Sequence, residues 1–178
     1  MTKANLLWID LEMTGLDPTE DRIMEIAAIG TDWDLNEAFQ FSATIRVDDD
    51  LANKRMTGDF WEKNKGLRKT LMKNNQTGQL LTDVEKQLLK LINKYFSKKT
   101  PIYLSGNSIH QDRKFIEREM SKLNSKLHYR MLDVSAWKIV FADKFDVKYM
   151  KPEVHRALDD IKGSIEELKT YLSKVNLN

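Results

Sequence analysis

The sequence predicts an α/β fold: a mixed sheet, three antiparallel strands followed by parallel strands, flanked by helices. Three observations lead there. Three strand-like segments with short connections fill the first 47 residues, the spacing of apolar residues turns helical from about residue 50, and a short apolar segment at 102–104 lies between two helical stretches. With 178 residues, the chain fits one domain, 1–178, at about 100–200 residues per domain.

Residues 5–11, Asn-Leu-Leu-Trp-Ile-Asp-Leu, form an apolar run ending in the turn residues Thr14-Gly15 and Asp17-Pro18, which reads as a buried strand. Residues 23–30 are apolar on both alternating sets apart from Glu25, as in a central strand. In 37–47, Phe39, Phe41, Ala43, Ile45 and Val47 alternate with polar residues, which gives one wet face. Connections this short join antiparallel neighbours, since a parallel crossover needs about a dozen residues or more. In 82–96, Val84, Leu88, Leu91, Ile92 and Tyr95 make one helical stripe, with Thr82 and Glu85 at capping-box spacing. Pro101 stops that helix. Ile102-Tyr103-Leu104 then forms a strand leading to Ser105-Gly106-Asn107-Ser108, and Ser108 with Gln111 has capping-box spacing again, opening a helix that buries Phe115, Ile116 and Met120. Further helices are expected over about 134–144 and about 156–174, the latter with Leu158, Ile161, Ile165, Leu168 and Leu172 on one face.

Composition narrows the function. Apolar residues make up 41% and charged residues 31%, enough for a core and unlike a disordered chain. The absence of cysteine excludes disulfides, thiolate metal sites and thiol catalysis, and suits a reducing cytoplasm. The apolar runs are far shorter than the ~20 residues of a membrane span, and the first residues lack a secretion signal, so no membrane partner is expected. Net charge is +2, but residues 1–50 carry 12 acids against 3 bases, net −9, and residues 51–178 carry 15 against 26, net +11. This is either surface dispersion or a carboxylate cluster amid lysines that attract an anion.

Asp10 and Glu12, two apart on the first strand, point to the same face directly after an apolar run, where unpaired carboxylates are costly. If the strand has already ended, they are instead solvated loop acids. Asp112 falls near the start of a helix that follows a strand, a place that favours negative charge in any protein. In His155-Arg156-Ala157-Leu158-Asp159-Asp160 the histidine and second aspartate are five apart, about 140° of rotation in one helix. They converge only if His155 precedes the helix. The helical wheel does not choose between Asp159 and Asp160. His110 and His128 read as water-facing positions rather than as site residues.

The ordered set Asp10, Glu12, Asp112, His155 and Asp160 resembles the DEDDh family of 3′→5′ exonucleases, with its ribonuclease-H-like fold, and within it the oligoribonuclease family. The resemblance runs through Trp8-Ile9-Asp10-Leu11-Glu12-Met13-Thr14-Gly15-Leu16-Asp17-Pro18, Gly106-Asn107-Ser108-Ile109, Gln111-Asp112-Arg113, His128-Tyr129-Arg130, Leu132-Asp133-Val134-Ser135 and the segment from His155 to Ile161. The family's His-x-x-x-x-Asp spacing selects Asp160. Two divalent ions serve phosphodiester hydrolysis by supplying a nucleophile and relieving charge. The resemblance assigns them to Asp10, Glu12, Asp112 and Asp160, whose hard oxygens favour Mg²⁺ or Mn²⁺. His155 becomes the general base.

The resemblance also implies a substrate of very short RNA, cut to 5′-mononucleotides. Leu16 would wedge between bases and Trp61 would stack on one. A tryptophan by itself is more often a core residue, but the neighbours Glu62, Lys63 and Lys65 lead to the expectation of an exposed Trp61. Ser108, Gln111, Arg130 and Ser135 would bind phosphate or sugar, and Tyr129 would reach the active site of a second copy, making a homodimer. The family usually has a histidine where this chain has Gly66, within the lysine-rich stretch Lys63 to Lys69. Those lysines either contact phosphate or solvate a helix face. Two rival readings remain. A haloacid-dehalogenase-like phosphatase would use Asp10 as nucleophile with Ser105 and the Asp159-Asp160 pair, but that class wants Asp at Glu12 and leaves His155 without a role. A non-enzymatic binding fold has no need of all five reactive residues.

Overall fold

The computed structural model describes residues 3–150 and 156–175. Three strands open the chain: β1 (Leu6–Met13), β2 (Ile23–Thr31) and β3 (Glu37–Thr44). They pair antiparallel in sequence, β1 with β2 and β2 with β3, as the short connections require. Every residue of β2 is buried, because helices cover both faces of the sheet there. Three short helices follow, α1 (Asp49–Arg55), α2 (Asp59–Lys63) and α3 (Lys65–Asn75), then the long α4 (Leu81–Tyr95). The chain returns to the sheet as β4 (Ile102–Gly106), crosses through α5 (His110–Glu119) and α6 (Ser121–Asn124), and adds β5 (Leu127–Asp133). The last helices are α7 (Val134–Phe145) and α8 (Ala157–Leu172). The sheet order is β3-β2-β1-β4-β5, with β4 parallel to both β1 and β5.

The core has two main layers. Leu7, Ile9 and Leu11 of β1 pack with Val84, Leu88 and Ile92 of α4 and with Phe115 and Ile116 of α5. Leu6 and Trp8, on the opposite face, pack with Val134 and Phe141 of α7 and with Ile161, Ile165 and Leu168 of α8. A third cluster, with Met24, Val47, Met56, Trp61 and Leu71, lies beneath α1–α3.

Some local expectations change. Neither capping box forms. Helix α4 starts one residue early with Leu80 as its cap, and Glu85 is buried, accepting the Leu123 N–H at 2.9 Å. A tertiary donor has taken the carboxylate that the local motif would have used. At α5 the cap is Ile109, Ser108 is left-handed (φ 49°), and Gln111 Nε2 donates to the Leu16 carbonyl at 2.6 Å. Strand β5, in a segment whose residues carry family motifs but no clean alternation, was not legible as a strand.

Candidate active site

Strand β1 extends to Met13, so Asp10 and Glu12 are strand residues on the Trp8 face rather than loop acids. Pairing between β1 and β4 runs only from Leu6 to Trp8. Beyond that point the two strands splay, and the edge of β1 is left without a strand partner on that side. Gly106 sits at the divergence, where an added Cβ would lie 3.0 Å from the Ile9 carbonyl oxygen, so glycine lets β4 pass close to β1 without a shift. The first turn of α5 enters this gap. Asp112 Oδ1 accepts the Leu11 N–H at 3.0 Å and thereby fastens α5 to the strand that carries the acidic pair.

Asp160 arrives from the first turn of α8. Carboxylate oxygens of Asp10, Glu12 and Asp160 lie within 4.8 Å of one another. Asp159 is exposed while Asp160 is half-buried, so packing of Ala157 and Ile161 against the sheet resolves the ambiguity of the helical wheel in favour of Asp160. Burial, followed by the charges of Glu25, Asp160 and Asp112, pushes Glu12 up to about 7 despite the opposing charge of Arg156. Glu25 stands directly across from Glu12 in the strand register. Burial likewise pushes Asp112 up to about 7, against the backbone hydrogen bonds that favour its charged form. Two buried acids that resist ionisation, Glu12 and Asp112, beside the hard oxygens of Asp10 and Asp160, fit a divalent cation. His155 lies outside the described residues.

A cavity of about 410 Å³ opens beside Glu12, walled by Met13, Gly15, Leu16, Phe60 and Trp61. Its rim is held by Asp21, which is 1% exposed and accepts hydrogen bonds from Thr14 Oγ1, the Asp17 N–H and the Arg55 fork, at 3.0, 2.9 and 2.7–3.1 Å. Gly15 is required here, because a Cβ would strike the Asp21 carboxylate. Sequence reasoning missed the Asp21–Arg55 pair, whose members are 34 positions apart with no local signal.

Leu16 is exposed, and its carbonyl is tied to Gln111 of α5. The expectation of an exposed Trp61 is corrected: the ring is 5% exposed and donates its Nε1–H to the Thr14 carbonyl at 3.2 Å. Its polar neighbours in sequence are no guide, since a helix turns them outward while Trp61 packs inward on Met24 and Met56. The neighbouring Phe60 is the exposed aromatic, with its ring edge-on to Trp61 at 5.0 Å.

Ser108 and Ser135 meet across the loop after β4. The Ser108 N–H donates to Asp133 Oδ1 (3.0 Å) and Ser135 Oγ (2.8 Å). Behind them Asn107 is a hub. Its Nδ2 donates to Ser164 Oγ and Glu167 Oε2 of α8, its Oδ1 accepts from Ser135, and Ser164 donates to the Asp160 carbonyl. The loop bearing Ser108 and the helix bearing Asp160 are therefore one hydrogen-bonded unit. Tyr129 and Arg130 are exposed on the outer strand β5, with the guanidinium 5.0 Å from the ring centre. His110 is exposed, with Nδ1 3.7 Å from Asp133 Oδ2, and His128 packs edge-on against Tyr103 at 5.2 Å; both stand on the β5 side.

The sheet order, the splayed strands and the acidic cluster define an exonuclease of ribonuclease-H-like fold. Residues 7–168 match the RNase_T family model, described as exonuclease. The zinc-bound E. coli exonuclease I complex with single-stranded DNA is similar over 97% of this chain and 41% of its own, with TM-score 0.68 at 15% identity. The exonuclease I of Methylocaldum szegediense is similar over 95% and 40%, with TM-score 0.66 at 16% identity. The chain thus spans about two fifths of those proteins, and the likeness is one of fold. Closer in sequence are the oligoribonucleases of Neisseria meningitidis serogroup B, 40% identical over 95% of this chain and 91% of theirs, and of Dichelobacter nodosus, 39% identical over 99% and 97%. The chain belongs to the oligoribonuclease family, a family of hydrolytic exonucleases. Among the described residues, no helix is long and apolar enough to cross a membrane.

Proposed function

We propose that this chain, as one domain over 1–178, is a 3′→5′ exoribonuclease that hydrolyses RNA of two to about five nucleotides to 5′-mononucleotides. The observation that carries the reading is the convergence of the Asp10, Glu12 and Asp160 oxygens within 4.8 Å, beside a cavity of about 410 Å³. Relatives that share about 40% of its residues and nearly its whole length are named for such an activity.

Asp10, Glu12, Asp112 and Asp160 are the ligands for two Mg²⁺ or Mn²⁺ ions, which when bound activate water and relieve charge on the phosphate and the leaving oxygen. The rest falls to the chain's own groups. His155 takes the proton from the attacking water. Leu16 parts two bases, while Phe60 and the edge of Trp61 wall the base pocket. Ser108, Gln111, Arg130 and Ser135 hold phosphate and sugar. Tyr129 completes the site of a second copy in a homodimer. That role is supported by its exposure, at 71%, together with the exposed Ile139, Val140 and Phe145 of α7, apolar surface that a second copy would cover. The cysteine-free chain suits the cytoplasm.

The test is incubation with 5′-labelled RNA of two to ten nucleotides, with Mn²⁺ or Mg²⁺ and with EDTA. Stepwise loss from the 3′ end, fastest on the shortest substrates and abolished by EDTA, is expected. Turnover in EDTA, or rates that climb steadily with length, would overturn the reading.

A further inference from the structure

Behind Phe60 and Trp61 a second cavity, of about 550 Å³, opens against α3. It is lined by Met56 and Met72, by the cations Lys65, Arg68 and Lys69, and by one acid, Glu62. It shares Trp61 and Thr57 with the cavity beside Glu12, so one indole separates the two. From Lys63 to Lys73 the chain holds five cations and no acid. Lys65 reaches Glu62 at 3.1 Å, but both side chains are largely exposed, and such a pair yields readily to a better anion. Arg68 is pre-set: its Nε–H donates to the Met56 carbonyl and Nη2 to Asn53 Oδ1, at 3.0 and 3.1 Å, which fixes the plane of the guanidinium. At Gly66, between Lys65 and Lys69 in sequence, nothing stands within 4 Å of where a side chain would begin.

We propose that this cavity binds the internucleotide phosphates of RNA longer than a dinucleotide, through Lys65, Arg68 and Lys69. The proposal rests on the exoribonuclease reading and extends it. A polyanion brought to a site within a segment of net charge −9 is repelled unless cations stand beside its path. The α3 cations supply that attraction, next door to the carboxylates rather than among them. A dinucleotide ends before reaching them and is indifferent to their charge.

The experiment compares kcat/KM for a diribonucleotide and a pentaribonucleotide in the wild type and in a Lys65→Glu, Lys69→Glu double variant, with Lys65→Arg, Lys69→Arg as the conservative pair. Both sites are exposed on a helix, so the fold should tolerate the changes. On the pentanucleotide the Glu pair is expected to lose about tenfold or more, through KM, with a salt slope shallower by about 1.4 for two lost phosphate contacts. On the dinucleotide it should stay within about twofold, and the Arg pair should retain both activities. An unchanged pentanucleotide rate, or an equal fall on both substrates, would overturn the proposal. A wild type that cleaves neither substrate with Mn²⁺ would instead overturn the exoribonuclease reading, and this site with it.

Discussion

Asp21 and Asp112 are both nearly inaccessible, at 1% and 8% exposure, yet their acidities depart from the ordinary 3.8 in opposite directions. Around Asp21, burial alone would raise the pKa, but the Arg55 fork, the Asp17 N–H and the Thr14 hydroxyl outweigh it and hold the carboxyl below its usual range. Around Asp112, burial wins over two backbone hydrogen bonds, and the group rises to about 7. The difference lies in the partner. The first acid carries its own arginine and serves the fold. The second stands near Glu12, also raised to about 7, where burial and the charges of Glu25, Asp160 and Asp112 outweigh the opposing Arg156 and an added cation would favour ionisation. Burial of an acid is thus no sign of function by itself; what separates these two is whether a cation of the chain offsets it.

Several substitutions break this contrast in a definite order. Asp112→Asn keeps an oxygen for the Leu11 N–H and removes a charge that burial already disfavours, so the fold should survive while metal-dependent turnover falls about 10³-fold or more; single-turnover assays at saturating Mn²⁺ would show it. Arg55→Leu strands the buried Asp21 without its cation and is expected to lower the urea midpoint of unfolding at pH 7. The sign follows from a depressed folded pKa: the stability that Asp21 contributes in the wild type is complete above about 3.8 and fades as pH falls through the lower folded value. Without Arg55, burial raises the stranded Asp21, so the gap between variant and wild type should be widest at pH 7 and narrow as acid protonates that carboxyl in the variant.

Smaller effects sharpen the other half. Asn107→Ala leaves Glu167 Oε2 without its amide donor and should cost about 1–3 kcal/mol, and it should raise the Mn²⁺ concentration needed for half-maximal rate because α8 carries Asp160. The smallest is a linkage effect. Raised carboxyl pKa values make the cation-free protein lose stability as pH climbs from the ordinary range toward about 7. Mg²⁺ favours the ionised forms and should lift the melting temperature by more at pH 8 than at pH 6. An equal lift at both pH values would remove Glu12 and Asp112 from the cation site.

Much of this was legible in the chain itself. Apolar runs, alternation and helical spacing located β1 to β4, α4, α5, α7 and α8 to within a few residues, because burial on both faces of β1 and β2, and on one face of β3 and the helices, is written in the local order of apolar residues. Strand β5 escaped, as an edge strand whose Tyr129, Arg130 and Met131 are all exposed and break the alternation. The capping boxes misled because Glu85 and Gln111 found tertiary partners, Leu123 and Leu16.

For the site, residue types and order sufficed to name the carboxylates, since hydrolytic chemistry restricts which side chains can serve and β1 presents Asp10 and Glu12 on one face by its pleat alone. Contacts between distant segments decided the rest: that Asp160 rather than Asp159 joins the cluster, that Trp61 turns inward while Phe60 faces water, and that Asp21 is neutralised by Arg55. Local sequence sets chemistry and periodicity over one or two turns, whereas burial and charge pairing are properties of whichever surfaces the packed layers bring together.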